Sequence, residues 1–326
     1  MTLTVVSCQK NNTYKNKLQV HHEHLEPQEI NIKNYSQALF SIDTAKFAEG
    51  LKDIQKDYQI FLNGDLDNAN AVKYIKDFAT DTFCMRINDL VEKKFSDNKT
   101  LAKDIKSVYQ RFNYYYPDVK IPYDTYFYVS GIDYEMPSVM IQPEGVMVSL
   151  DFYLGNDDWI YDYIGMPRFR SIRCQPSYIT RDLAQSLFQN VYGRQYQKDV
   201  LTEMINVGKQ LYFIEAMNPS MPDSVLMGYS SKQTQWIEQY EADVWSSIVG
   251  NDILYANTAE LFRSFFGDAP FTQAFSKEAP ARLGEYIGLQ IIRSYMTNNE
   301  VNLREMLDNN DVQQIFQMSQ YKPMKK

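Results

Sequence analysis

The sequence predicts a helix-dominated α+β protein with a small antiparallel or mixed sheet. Its 326 residues are 44% apolar and 23% charged, a composition typical of folded globular chains. Apolar residues recur every three or four positions before Pro117 and again after Ser177, which indicates helices. Between these two blocks the apolar residues fall in short runs bounded by turn residues, which indicates strands. Helices, a small sheet and further helices in this order are typical of the α+β class.

The first block of helices begins with a segment from Asp43, as N-cap, to Asn63, before Gly64. The same period continues over residues 72–95 and 101–112. Strands are predicted at 125–130, 139–141 and 146–151, and the turn Pro143-Glu144-Gly145 predicts an antiparallel hairpin between the last two. The later predicted helices are Tyr178–Val191, Val200–Met217, Gln233–Val249, Ala259–Phe266, Ala281–Met296 and Asn302–Met318. No linker after Asn34 is long enough to divide the chain, so residues 35–326 are predicted to form one domain.

The first 34 residues are predicted to be a truncated lipoprotein signal and a polar tether. Cys8 follows Val5-Val6-Ser7, which resembles the end of a bacterial lipoprotein signal, where the cysteine is diacylated. The seven residues before Cys8 are too short for a complete signal and carry no Lys or Arg, so we expect the true start codon to lie upstream. The alternative is a free thiol on a cytosolic tail. No apolar segment of 18 residues follows, so attachment to a membrane would depend on this lipid anchor.

The distribution of histidine excludes several mechanisms. His21, His22 and His24 all lie in the predicted tether. Residues 35–326 therefore contain no imidazole that could activate a serine or cysteine nucleophile or bind zinc. A tether offers no fixed geometry, so no metal is expected at these three residues. The net charge of −8 argues against nucleic acid as a partner. Cys84 and Cys174 belong to no metal-binding motif, and whether they form a disulfide is left open.

Several separated motifs resemble one family. Residues 150–173 are similar to the LDxFLGxDxxxYxxxPxYxRxR region of the gliding motility lipoprotein family GldB. Further matches follow in the same order up to Tyr295, and Cys8 stands where that family places its lipidated cysteine. The resemblance covers roughly residues 35–320. Within its strongest part, the charged residues are candidates for a ligand-binding patch or, alternatively, for an internal ion-pair network. These candidate binding residues are Asp151, Asp157, Asp158, Arg168, Arg170 and Arg173.

The resemblance also implies a fold related to zincin metallopeptidases, which carry HExxH on a helix. In the predicted helix Val200–Met217 the corresponding residues are Thr202, Glu203 and Asn206. Glu203 stands at the catalytic glutamate, whereas a hydroxyl and an amide stand at the two zinc ligands and are weak substitutes. Glu241 would be the remnant of a third ligand. We therefore expect a zincin-like domain without metal, cofactor or catalytic residues; alternatively, Glu203 is an ordinary solvated or salt-bridged residue near a helix N-terminus.

The predicted function is that of a non-catalytic, lipid-anchored envelope protein that acts as a binding or assembly module of gliding or secretion machinery. Its expected partners are envelope proteins. The resemblance implies that an acidic run after the lipidated cysteine would direct the protein outward across the outer membrane, and because no such run follows Cys8 we expect an outer-membrane lipoprotein that faces the periplasm. One alternative is an envelope hydrolase that uses carboxylates such as Glu203, Glu241, Asp157 or Asp158, with or without an oxygen-ligated divalent metal. Another is a soluble protein with a tyrosine-lined groove for glycan or peptide.

Overall fold

A computed structural model describes residues 13–20, 24–26, 29–155, 159–193, 195–272 and 275–325. It confirms a helix-dominated α+β fold with a small mixed sheet. The chain groups into two compact units. The sheet unit comprises residues 27–110 and 116–190, and the helical unit comprises residues 111–115 and 191–326 with the segment up to residue 26. The expected domain boundaries, at residues 34 and 35, stay predictions.

The sheet has four strands in the described residues, in the order β1-β2-β4-β3. β3 and β4 pair antiparallel with Gln142 opposite Gly145, so the predicted hairpin is confirmed. β2 runs parallel to β4, and β1 runs parallel to β2. The sequence analysis missed β1, because three residues are too few to show a period of two. The strands are β1 (Ile32–Asn34), β2 (Thr125–Tyr128), β3 (Val139–Gln142) and β4 (Gly145–Ser149).

Sixteen α-helices lie in the part of the chain that the structure describes. Two of them, α10 and α13, have the predicted bounds. The helices are α1 (Thr13–Lys17), α2 (Tyr35–Phe40), α3 (Phe47–Gln55), α4 (Ala69–Thr80), α5 (Thr82–Lys94), α6 (Lys99–Tyr115), α7 (Trp159–Tyr163), α8 (Arg168–Ser171), α9 (Ile179–Tyr192), α10 (Val200–Met217), α11 (Asp223–Met227), α12 (Ser231–Gly250), α13 (Ala259–Phe266), α14 (Leu283–Asn298), α15 (Leu303–Asp308) and α16 (Val312–Ser319).

The helix predicted from Asp43 to Asn63 is shorter in the structure. Asp43 caps a short 3₁₀ turn instead, and α3 ends at Gln55. Tertiary contacts take the following residues out of the helix: the Tyr58 hydroxyl donates to the Asn34 carbonyl at 3.1 Å, and the Phe61 ring stacks on a neighbouring tyrosine at 4.1 Å. Packing of aromatic rings therefore overrides the helical period.

The predicted helix Asn302–Met318 is divided into α15 and α16. The buried ammonium of Lys209 donates to the carbonyls of Leu307, at 3.0 Å, and Asn309. The side chain of Asp311 then caps the next helix. Since the carbonyls at the end of α15 bond to a side chain from α10, the helix stops there and restarts after Asp311.

Glycines allow two helices of the helical unit to approach closely. A Cβ placed on Gly208 of α10 would lie 2.3 Å from the carbonyl oxygen of Gly288 on α14, and one placed on Gly288 would lie 2.0 Å from that of Met204. Gly284 is similarly close to the ring of Phe266. Because a Cβ at Gly208 or Gly288 would meet backbone atoms of the other helix, only glycine fits at this crossing.

Part of the predicted tether has regular structure. Residues Thr13–Lys17 form α1, and Leu18 is buried. The carbonyl of Leu18 accepts a hydrogen bond from the guanidinium of Arg111, whose Nε donates to the carbonyl of Ala216 at 2.6 Å. The side chain and the carbonyl of Leu18 thus help to attach this segment to the rest of the helical unit. A single apolar residue is too short a signal to appear as an apolar stripe in the sequence.

Candidate functional site

Thr202, Glu203 and Asn206, which the resemblance predicts to be a degenerate zinc-binding motif, lie at the start of α10. Asp199 caps the helix, and its Oδ1 accepts from the backbone N of Thr202 at 2.8 Å and from Thr202 Oγ1 at 2.6 Å. The amide of Asn206 donates to the carbonyl of Tyr196 at 3.0 Å. Glu203 is half-buried in the first turn, where the helix dipole favours a carboxylate. Thr202 and Asn206 therefore form hydrogen bonds to nearby residues.

The possible remnant Glu241 lies on α12 and accepts hydrogen bonds from two phenols. Tyr321 Oη donates to its Oε1 at 2.7 Å, and Tyr286 Oη donates to its Oε2 at 3.3 Å. The pKa of both tyrosines is raised, mainly by burial and secondly by the negative charge of Glu241. The Trp245 ring packs edge-on against Tyr321 at 5.1 Å. Both carboxylate oxygens of Glu241 thus have phenol partners within the helical unit.

A search for metal ligands gives a negative result. No group of three or more His, Cys, Asp or Glu side chains is placed to hold a metal ion within the residues that the structure describes. That the zinc site of a zincin has been lost here stays a prediction.

A buried charge cluster on α10, α11 and α14 was not foreseen. The Arg293 guanidinium donates to both carboxylate oxygens of Glu215, at 3.0 and 2.8 Å, and to both of Asp223, at 2.7 Å each. It also lies 5.1 Å from the ring of Tyr14. Burial raises the pKa of Glu215 despite the opposing charge of Arg293. For Asp223 burial acts to raise the pKa, but the bonds to Arg293 hold it below its usual value.

The sequence held one signal for this cluster. Asp223 and Arg293 both belong to segments that match the GldB pattern. Nothing in the local sequence links either of them to Glu215, because the three residues meet only through the packing of separate helices. Because α10 and α14 are largely apolar, charged side chains buried between them would be strongly unfavourable without partners. The hydrogen bonds of Arg293 with Glu215 and Asp223 supply those partners.

Asp151, the first candidate binding residue, lies inside the sheet unit with no exposed surface. Its carboxylate accepts from the backbone N of Ser130 at 3.0 Å, from the backbone N of Ile132 at 2.7 Å and from two serine hydroxyls. Burial raises the pKa of Asp151, and these hydrogen bonds oppose the shift. Gly131 and Ile132 both have positive φ, which a β-branched residue rarely adopts. Asp151 therefore holds a strained loop in place.

The three candidate arginines lie on or just after α8. Arg168 and Arg170 are exposed, and Arg173 is half-buried. Asp157 and Asp158 lie outside the described residues, as do Cys8, His21 and His22. The ligand-binding role of the patch and the lipidation of Cys8 stay predictions.

A surface of aromatic rings and one arginine lies on α5 and α7 of the sheet unit. The Arg86 guanidinium carbon is 4.0 Å from the centre of the Trp159 ring. Tyr163 packs against Trp159 at 5.8 Å and against Phe83 at 5.7 Å, yet it is 71% exposed. We call Phe83, Arg86, Trp159 and Tyr163 the aromatic-arginine surface. Sequence analysis missed it because its two halves are 70 residues or more apart.

Both cysteines of the sheet unit are buried free thiols, so the disulfide that the sequence left open is not formed. Burial raises the pKa of Cys84 and of Cys174 to about 12. Among the described helices, none combines the length and apolar character needed to cross a bilayer.

The chain is thus a helix-dominated α+β protein in which Thr202 and Asn206 form local hydrogen bonds. The family model for gliding motility protein GldB matches residues 15–323, and the chain belongs to this family. Membership confirms the resemblance and suggests a gliding motility lipoprotein of the cell envelope, with partners in the envelope machinery. Neither the curated proteins nor the solved structures provide a match. The relationship to zincin peptidases stays a prediction.

Proposed function

We propose that this chain is a non-catalytic envelope lipoprotein that acts as a binding or assembly module of gliding or secretion machinery. The observation that supports the proposal is the start of α10, where Thr202 and Asn206 stand at the two positions that the predicted resemblance to zincins aligns with histidine ligands. A hydroxyl and an amide bind zinc weakly, and both already have protein partners. Membership of the GldB family supports the place in the envelope.

The aromatic-arginine surface is the proposed contact with a partner protein. Trp, Tyr and Arg are the residues most enriched at the energetic centres of interfaces. Trp159 and Tyr163 are 39% and 71% exposed, and their rings are already ordered by packing on Arg86 and Phe83. A partner would therefore bury these rings at a small cost in side-chain entropy.

The proposed anchor is a diacylated Cys8, and the proposed location is the outer membrane with the folded units in the periplasm. Metabolic palmitate labelling of the full-length gene product tests the anchor. We expect label on the natural protein and none on Cys8→Ala. An unlabelled natural protein would refute lipidation but leave the module role testable through its partner.

Affinity purification from the native envelope tests the module. We expect the full-length protein to recover a component of the gliding or secretion machinery, and the Trp159→Ala/Tyr163→Ala variant to recover roughly tenfold less. Tyr74→Ala is the matched control, because Tyr74 is 79% exposed in the same unit. Recovery of no envelope component above background would contradict the assembly role.

Elemental analysis tests the non-catalytic character. Protein purified after growth with added zinc is expected to carry far less than one zinc per chain. Stoichiometric zinc that is lost on mutation of Glu203 or Glu241 would overturn the proposal and favour a hydrolase.

A further inference from the structure

A cavity of about 450 Å³ lies in the helical unit beside α1 and the ends of α6 and α14. Two neighbouring tyrosines of α6, Tyr114 and Tyr115, form part of its wall. Their rings pack edge to face at 5.0 Å, and Tyr114 is 45% exposed. The faces of such rings attract cations.

The charged side chains of the wall favour a positive ligand. Glu300 and Glu305 contribute two carboxylates, and Lys17 contributes one ammonium. That ammonium already donates to the carbonyl of Asn299. Glu305 accepts one bond from the backbone N of Asn302, at 2.8 Å. Glu300 is exposed and has no hydrogen-bond or ion-pair partner among the residues that the structure describes.

A buried hydroxyl in the same wall also lacks a partner. Tyr212 of α10 has no exposed surface, and its Oη has no hydrogen bond to any described residue. A buried phenol normally has a hydrogen-bond partner, so an unpaired hydroxyl of this kind suggests a donor or acceptor on a bound molecule. A phenol oxygen accepts from N–H donors, as carboxylates do.

We propose that this cavity binds an ammonium or guanidinium group, either of a small amine or of a lysine or arginine side chain in a polypeptide. Three features of the cavity favour a positively charged group with N–H donors. They are the ring faces of Tyr114 and Tyr115, the carboxylate of Glu300 and the unpaired oxygen of Tyr212. The proposal does not depend on the assembly role, because purified protein is sufficient to test it.

NMR titration of protein with ¹³C-labelled tyrosine tests the site with three probes. Cadaverine represents a free amine, and acetyl-Gly-Lys-Gly-amide represents a side chain in a polypeptide. The same peptide with norleucine in place of lysine lacks the charge. We expect at least one charged probe to give saturable shifts at Tyr212, with a Kd of about 1 mM for so small a ligand. Cadaverine alone, the lysine peptide alone or both would each support the proposal and identify the source.

Variants separate recognition from folding. Tyr212→Phe removes only the hydroxyl, and Glu300→Gln removes only the charge; each is expected to weaken binding roughly tenfold. Glu278→Gln, an exposed glutamate elsewhere in the helical unit, should bind as the natural protein does. Tyr212→Phe should melt no lower than the natural protein, since its hydroxyl bonds to no described residue. Equal binding of the norleucine peptide, no binding of either charged probe, or unchanged binding by both variants would overturn the proposal.

Discussion

Arg293 and Glu215 form a two-point ion pair inside the helical unit, with Nε to Oε2 at 3.0 Å and Nη2 to Oε1 at 2.8 Å. Both side chains are about 95% or more buried. Asp223 pairs with the same guanidinium, so one arginine binds two carboxylates that different helices contribute. The pair therefore joins α10 to α14, and Asp223 adds the start of α11.

Loss of this arginine should be strongly destabilising. Arg293→Met leaves Glu215 and Asp223 without their cation, and we expect the free energy of unfolding to fall by about 3–5 kcal/mol. Urea titration measures it. Arg263→Met, an exposed arginine on α13, should change it by less than about 0.5 kcal/mol. A loss below about 1 kcal/mol for Arg293→Met would contradict the role of the cluster.

The crossing of α10 and α14 should not tolerate a methyl group. Gly288→Ala places a Cβ against the carbonyl of Met204, and overpacking of this kind typically costs about 1–3 kcal/mol. At Gly250 a Cβ meets no atom within 4 Å, so Gly250→Ala should be neutral or stabilising by up to about 1 kcal/mol. Thermal unfolding of the two variants distinguishes them. Equal melting temperatures would contradict the close approach.

Lys209 should make stability depend on pH in the alkaline range. Burial lowers the pKa of Lys209 from 10.5 to about 8, so between these values the unfolded chain binds a proton that the folded chain does not. Stability from this group therefore rises with pH across that window, by about 2 kcal/mol. Lys209→Met should lack this rise. Urea titrations of the natural protein and of Lys209→Met at pH 7.5 and 10 measure the free energy of unfolding. Equal changes with pH in the two proteins would contradict this prediction.

The two buried thiols should be unreactive until the sheet unit unfolds. A pKa of about 12 leaves almost no thiolate at pH 8. In a Cys8→Ser background, we expect a thiol reagent to modify neither Cys84 nor Cys174 in native protein and both in urea. Rapid modification of either residue without denaturant would show that its surroundings are open.

Local signals account for the elements that sequence analysis predicted well. The bounds of α10 follow from the Asp199 cap and a continuous apolar period, and the hairpin follows from its turn residues. The charge cluster could not be predicted in this way, because Glu215 and Arg293 are 78 positions apart. The aromatic-arginine surface and the unpaired hydroxyl of Tyr212 likewise exist only after distant segments pack. That the start of α10 is a degenerate motif stays a prediction, and the hydrogen-bond partners of its residues could not be predicted from the sequence.

The attachment of α1 to the helical unit limits how far the protein can stand from a bilayer. The first described residue, Thr13, lies five positions after Cys8, and five extended residues reach at most about 18 Å. If the proposed lipids are on Cys8, the segment that connects the lipids to Thr13 is shorter than a bilayer is thick. The helical unit would then lie close to the lipid headgroups.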